Sequence, residues 1–139
     1  MVTGSSGQLG GTLVRLLRAD RTDVVGLDRR PGPHTAVVGD LRDDRLLRAV
    51  MSGVDAVVHA AGLHAPHLAT AAKTDFVAVN VEGTQRLLDA AGAAGVGRVV
   101  LSSSTSVYGY ALEPGAARPA RARPALTPPA HAALWACRP

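Results

Sequence analysis

Apolar and polar positions follow two rhythms along the first hundred residues, and the switches between them mark out the elements. Short apolar runs of strand length occur at 1–3 ("MVT"), 23–28 ("DVVGLD"), 35–40 ("TAVVGD"), 55–62 ("DAVVHAAG") and 98–104 ("RVVLSSS"). Between them, apolar positions recur three and four apart. Leu9, Leu13, Leu16 and Leu17 predict a helix after the first run, and Leu46, Leu47 and Val50 a second within "DDRLLRAVM". Phe76, Val79, Gly83 and Leu87 predict a long helix over 74–94. Near-continuous apolar strands joined by amphipathic helices are the pattern of a parallel sheet covered on both faces. With right-handed crossovers, the predicted fold class is α/β, a doubly wound, Rossmann-like parallel sheet of about five strands.

The rhythm stops near Gly109. Residues 110–139 are rich in Ala, Arg and Pro, and include Pro114, Pro119, Pro124, Pro128, Pro129 and Pro139. Proline lacks the N–H donor and the dihedral freedom for a helix interior or a central strand. The expected organisation is one patterned domain over 1–109 and a disordered tail over 110–139.

Composition narrows the partners. A chain of 139 residues is of one-domain length, and 3% aromatic residues leave small side chains to make much of the core. The single cysteine, Cys137, excludes an internal disulfide and a cysteine-based metal set, so a reducing, cytoplasmic setting is expected. His64 and His67 are close in sequence but their spacing alone does not make a metal site, and none is expected. Of the net charge of +4, Arg118, Arg121, Arg123 and Arg138 against Glu113 place +3 in the tail. The body is nearly neutral and has no basic face with interleaved aromatics, which argues against a nucleic-acid partner. No apolar run is long enough to span a membrane.

Chemistry concentrates in "TGSSGQLG", where Gly4, Gly7 and Gly10 stand between the first strand and its helix. Such a turn gathers free backbone N–H groups and the positive end of a helix dipole at one point. Glycines there let a pyrophosphate approach the backbone, which points to a dinucleotide. Asp28, eighteen residues after Gly10, ends the next strand. An acid there accepts from both ribose hydroxyls and repels a 2′-phosphate, favouring NAD over NADP. Arg29 and Arg30 pull the other way, since guanidinium groups suit a phosphate. Asp28 could instead only cap the turn before Pro31.

The segments "TGSSGQLG", "VVGLD", "GDLRD", "DAVVHAAG", "NVEGT" and "VVLSSSTSVYG" stand in an order and spacing that resemble extended short-chain dehydrogenases/reductases, the NAD-dependent epimerase/dehydratase family. The resemblance covers Val2 to about Gly109. It implies that Gly4, Gly7, Gln8, Leu9 and Gly10 line the pyrophosphate and that Asp28 and Arg29 hold the adenosine ribose. Asp40 and Leu41 would meet the adenine, and Ala60, Ala61 and Gly62 would pass beside the nicotinamide-side ribose. Asn80 matches the first residue of the family's "NVEGT", either tying its helix to the sheet as a buried amide or touching the site directly. Ser104 matches the serine that hydrogen-bonds the reacting oxygen of the substrate. His59 is expected as part of a strand end and not as a catalytic base.

The family's activity, as the resemblance implies it, is hydride transfer on a sugar or nucleotide-sugar, with a Tyr-x-x-x-Lys pair after the serine strand. The chain has no tyrosine after Tyr110 and no lysine after Lys73, and the place for the pair falls near Pro128 and Pro129. With only three residues before the first glycine as well, the chain is expected to be a catalytically incomplete fragment. Its tail resembles a GC-rich gene read out of frame. The alternative is a non-catalytic NAD(P)-binding module or sensor. Relatives of this family imply a homodimer packed through the long helices.

Overall fold

The computed structural model describes residues 1–64, 67 and 69–103, and the chain divides into a unit Met1–Ser102 and a unit Ser103–Pro139. Ser104, the boundary expected after residue 109 and the tail beyond it lie outside the described residues.

Within the first unit, five strands form one parallel sheet: β1 (Val2–Thr3), β2 (Gly26–Asp28), β3 (Val37–Val38), β4 (Ala56–His59) and β5 (Arg98–Leu101). Their order is β3-β2-β1-β4-β5. The chain therefore walks outward from β1 to β3, then returns to the other side of β1 to lay down β4 and β5. That reversal beside β1 is the topological switch point of a doubly wound sheet. The α/β fold expected from the alternating pattern is the one observed.

Register separates the two faces. Thr3 lies opposite Leu27 and His59, and Leu27 opposite Val37. With Val57, two residues before His59, these side chains share one face. Helix α2 (Asp44–Val50) and the helix over 73–93 cover it, and Leu27, Leu47, Met51, Val57 and Leu87 are at most 1% exposed there. Burial of such side chains stabilises by about 1.5–3 kcal/mol each. Val2 faces the other side with α1 (Gln8–Ala19), where Val14 is buried. Asp43 starts α2 by accepting from the N–H groups of Arg45 and Leu46 at 2.9 and 3.1 Å.

Two details depart from the pattern reading. The leucine stripe of α1 is not its buried face, since Leu9 and Leu16 are 51% and 52% exposed. Gly10, Gly11 and Val14 are buried instead, flanked by half-buried Leu13 and Leu17. Glycines bring the helix so near the sheet that the row without side chains becomes the row of contact. The long helix is also not uniform: α3 (Lys73–Phe76) runs into a π-helical turn (Val77–Gly83) and then α4 (Thr84–Ala93). Such widened turns are rare and occur often at functional sites. The strands are shorter than the apolar runs, because β2 and β3 keep only the residues that pair. Among the described residues, no helix is long and apolar enough to cross a membrane.

Candidate functional site

A cleft of about 300 Å³ opens at the carboxyl ends of the strands, over the switch point beside β1. The turn from β1 into α1 forms its floor. Gly4 has φ +73°, a left-handed conformation, and a Cβ there would stand 2.8 Å from the backbone of Ala60 and Ala61. At Gly10 a Cβ would overlap the Gly4 carbonyl. Both glycines are thus required by the close approach of α1, β1 and the end of β4. The Gly7 N–H donates to the Gly4 carbonyl at 2.9 Å and closes the turn. Gly7 is the N-cap of α1 and supplies no side-chain cap, so the first-turn N–H groups face the cleft with the positive end of the helix dipole.

Asp28 stands beside that turn, at the end of the neighbouring strand β2. Its Oδ2 accepts from the Ser6 N–H at 3.0 Å and its Oδ1 from the Arg30 N–H at 2.9 Å. It therefore forms the turn that caps β2 and still presents its remaining lone pairs to the cleft. Ser5 and Ser6 support this corner through Thr35, at hydroxyl separations of 2.6 and 2.7 Å. Asp40 is held by Arg42, whose guanidinium donates to both carboxylate oxygens at 2.9 and 2.7 Å. That hydrogen bonding holds the Asp40 carboxyl below its ordinary value.

Gly4, Gly7, Gln8, Leu9, Gly10, Asp28, Arg29, Asp40, Leu41, Ala60, Ala61 and Gly62 all line this one cleft. Asn80 does not. It is exposed, not buried, and grips the loop after β4: its Oδ1 accepts from the Leu63 N–H at 2.7 Å and its Nδ2 donates to the Leu63 carbonyl at 2.8 Å. Leu63 lines the cleft, so Asn80 meets it through Leu63. Leu27, Arg30, Gly39, His64, His67 and Val79 also line the cleft. Arg30 carried a sequence cue as a group suited to a phosphate, and Leu27 and Gly39 lie within the "VVGLD" and "GDLRD" segments, whereas nothing in the sequence pointed His64, His67 or Val79 to the cleft.

His59 is 2% exposed and stands outside this lining. Its ring lies between Thr3 Oγ1, 2.6 Å from Nδ1, and Thr84 Oγ1, 2.9 Å from Nε2. Burial lowers its pKa to about 4, so the ring is neutral at ordinary pH. Among the described residues, no cluster of three or more His, Cys, Asp or Glu side chains is placed to hold a metal ion.

The chain is similar to a sterol demethylase protein B of Methylococcus capsulatus, 36% identical over 117 residues, covering 78% of this chain and 35% of that protein. It is likewise similar to a UDP-glucose 4-epimerase of Erwinia amylovora, 35% identical over 126 residues, covering 78% of this chain and 37% of that protein. A short-chain dehydrogenase/reductase superfamily protein of Agrobacterium tumefaciens, solved with bound NAD, superposes with a TM-score of 0.71 at 45% identity, covering 78% of this chain and 33% of that one. The chain thus spans roughly a third of the length of each. The model of the NAD dependent epimerase/dehydratase family matches residues 1–132. A switch-point cleft floored by glycines, together with that match over most of its length, means that the chain belongs to the NAD dependent epimerase/dehydratase family.

Proposed function

We propose that the chain binds NAD in the cleft beside β1. The observation that carries this reading is the contact of Gly4 with Gly10 beneath the uncapped first turn of α1, where any Cβ would fill the cradle. Gly7, Gln8, Leu9 and Gly10 would hold the pyrophosphate through backbone N–H groups. Asp28 would accept from the adenosine ribose hydroxyls, and its charge would disfavour a 2′-phosphate despite Arg29 and Arg30. Arg29 would border that ribose, and Asp40 and Leu41 the adenine. Ala60, Ala61 and Gly62 would leave room for the second ribose, with Asn80 holding their loop in place through Leu63.

NAD, when bound, supplies a hydride acceptor for oxidation of a hydroxyl to a carbonyl. In the whole protein we assign to Ser104 a hydrogen bond to the reacting oxygen, and we take the substrate to be a sugar or nucleotide-sugar, as in the UDP-glucose 4-epimerase relative. Two copies would pair through the helix over 73–93, whose outer side exposes Val77 and Val81 at 52% and 62%. A second reading, binding without turnover, is favoured by one observation: these 139 residues contain no Tyr-x-x-x-Lys pair.

Isothermal titration with NAD and NADP, beside a thermal melt, tests both readings. NAD binding tighter than NADP, with a raised melting temperature, is expected. A folded chain that takes up neither dinucleotide refutes the first reading. Turnover of a nucleotide-sugar by this chain refutes the second.

A further inference from the structure

Four hydrogen bonds link the wall of the cleft to the π-helical turn, and their direction is fixed at every step. The Thr84 hydroxyl donates its one proton to the Asn80 carbonyl at 2.8 Å. Towards His59 it can then only accept, so Nε2 carries the ring proton in the 2.9 Å contact. Neutral imidazole leaves Nδ1 as an acceptor, and the Thr3 hydroxyl donates to it at 2.6 Å. Thr3 Oγ1 in turn accepts from the Ala61 N–H at 3.2 Å. The relay runs from Ala61 through Thr3, His59 and Thr84 to the Asn80 carbonyl, while the Asn80 side chain returns to Leu63. Ala61 and Leu63 flank Gly62 on the cleft wall, and both are therefore held from the same helix.

We propose that His59 and Thr84 are positioning residues for the dinucleotide cleft, fixing the Ala61–Leu63 wall through a one-directional relay that reaches the π-helical turn at Asn80. The proposal rests on the reading that the cleft takes NAD. His59 has no direct place in that cleft, and its burial in neutral form is what the relay needs. An imidazolium would set a second N–H against Thr3, whose hydroxyl proton would have to turn away and lose its acceptor, ending the one-directional order of the relay. Burial is what holds the pKa of the ring low. One residue thus serves twice: the carbonyl of Asn80 ends the relay and its carboxamide grips the loop.

Thr84→Val removes the hydroxyl at nearly constant shape, and Thr84→Ser keeps it. In the 139-residue chain, Thr84→Val is expected to weaken NAD binding roughly five- to tenfold, with Thr84→Ser near wild type. Ring ¹⁵N shifts should show His59 as the neutral Nε2–H form, and Ala61 amide exchange should quicken in Thr84→Val, although the Thr84 hydroxyl bonds only to His59 and the Asn80 carbonyl. Wild-type affinity in Thr84→Val, equal weakening in Thr84→Ser, or an Nδ1–H ring would each overturn the relay. Should Thr84→Val not fold, the wild-type ring spectrum and Thr84→Ser decide. Failure of the wild-type chain to bind NAD refutes the dinucleotide reading instead, and the ring and amide spectra then judge the relay by themselves.

Discussion

Asn80 meets Leu63 as one strand edge meets another, its carboxamide accepting from the Leu63 N–H at 2.7 Å and donating to the Leu63 carbonyl at 2.8 Å. A side chain from a helix thereby supplies both partners to a loop residue that no strand pairs. Gly62 completes the fit, because a Cβ there would stand 3.3 Å from Asn80 Oδ1. Asn80→Asp replaces the donor with an acceptor facing the Leu63 carbonyl. It is expected to destabilise the chain by about 0.5–1.5 kcal/mol and to weaken NAD binding, with Asn80→Ala milder. Urea unfolding and titration calorimetry measure the two effects, and an Asn80→Asp variant indistinguishable from wild type in both would sink the idea.

The contact of Gly10 with the Gly4 carbonyl predicts a harsh response at that position. Gly10→Ala should push α1 away from β1 and abolish measurable NAD binding while leaving secondary structure largely in place. Gly4→Ala adds a backbone cost of about 1–2 kcal/mol for the left-handed conformation, beyond the overlap with Ala60 and Ala61. Circular dichroism beside calorimetry separates lost binding from lost folding. Retained affinity in Gly10→Ala would remove the glycine cradle from the argument.

Asp28 is expected to set the choice between the two dinucleotides. Asp28→Asn keeps the shape and removes the charge, but its single amide oxygen can keep only one of the two bonds to the Ser6 and Arg30 N–H groups. Affinity for NAD should fall roughly tenfold and affinity for NADP should rise, with Arg29 and Arg30 then free to attract the 2′-phosphate. Competitive titration of both nucleotides reads the ratio directly. An unchanged ratio would return Asp28 to a turn-capping role alone.

His59 predicts how acid acts on the fold. Its folded pKa, about 4, lies below the ordinary 6.5, so the unfolded chain takes up the proton first. Its contribution is complete above pH 6.5 and is lost as pH falls towards 4, by roughly 3 kcal/mol at the lower limit. Asp40 has its pKa lowered by Arg42, so its contribution is lost only as pH falls below the ordinary carboxylate value of 3.8. Unfolding at pH 7 and at pH 4.5 should therefore differ mainly through His59, and His59→Gln should flatten the difference. An equally steep acid dependence in that variant would place the titrating group elsewhere.

Much of this fold was legible because its signals are local. The glycine trio, the strand-length apolar runs and Asp28 lie within segments whose conformation their own residues dictate, and they marked the sheet, the cleft floor and the acid at its edge. The helix faces were less legible. Spacing assigned the buried stripe of α1 to leucines, but closeness to the sheet made it Gly10, Gly11 and Val14, because side-chain absence decides how near two backbones come. The π-helical turn left no mark in the apolar spacing, since positions four apart fit either helix.

What the sequence determined by itself was the parallel α/β sheet, the turn that floors the cleft and the residues that line it on β1, α1 and β2. Which residues hold the opposite wall was decided only in three dimensions. Thr3, His59, Thr84 and Asn80 are scattered over the chain, and no periodicity relates them. Parallel register sets Thr3 beside His59, and helix packing then sets Thr84 against its ring. Hydrogen-bond partners across such separations are chosen by where the sheet and the helix lie, and that placement is a property of the packed whole.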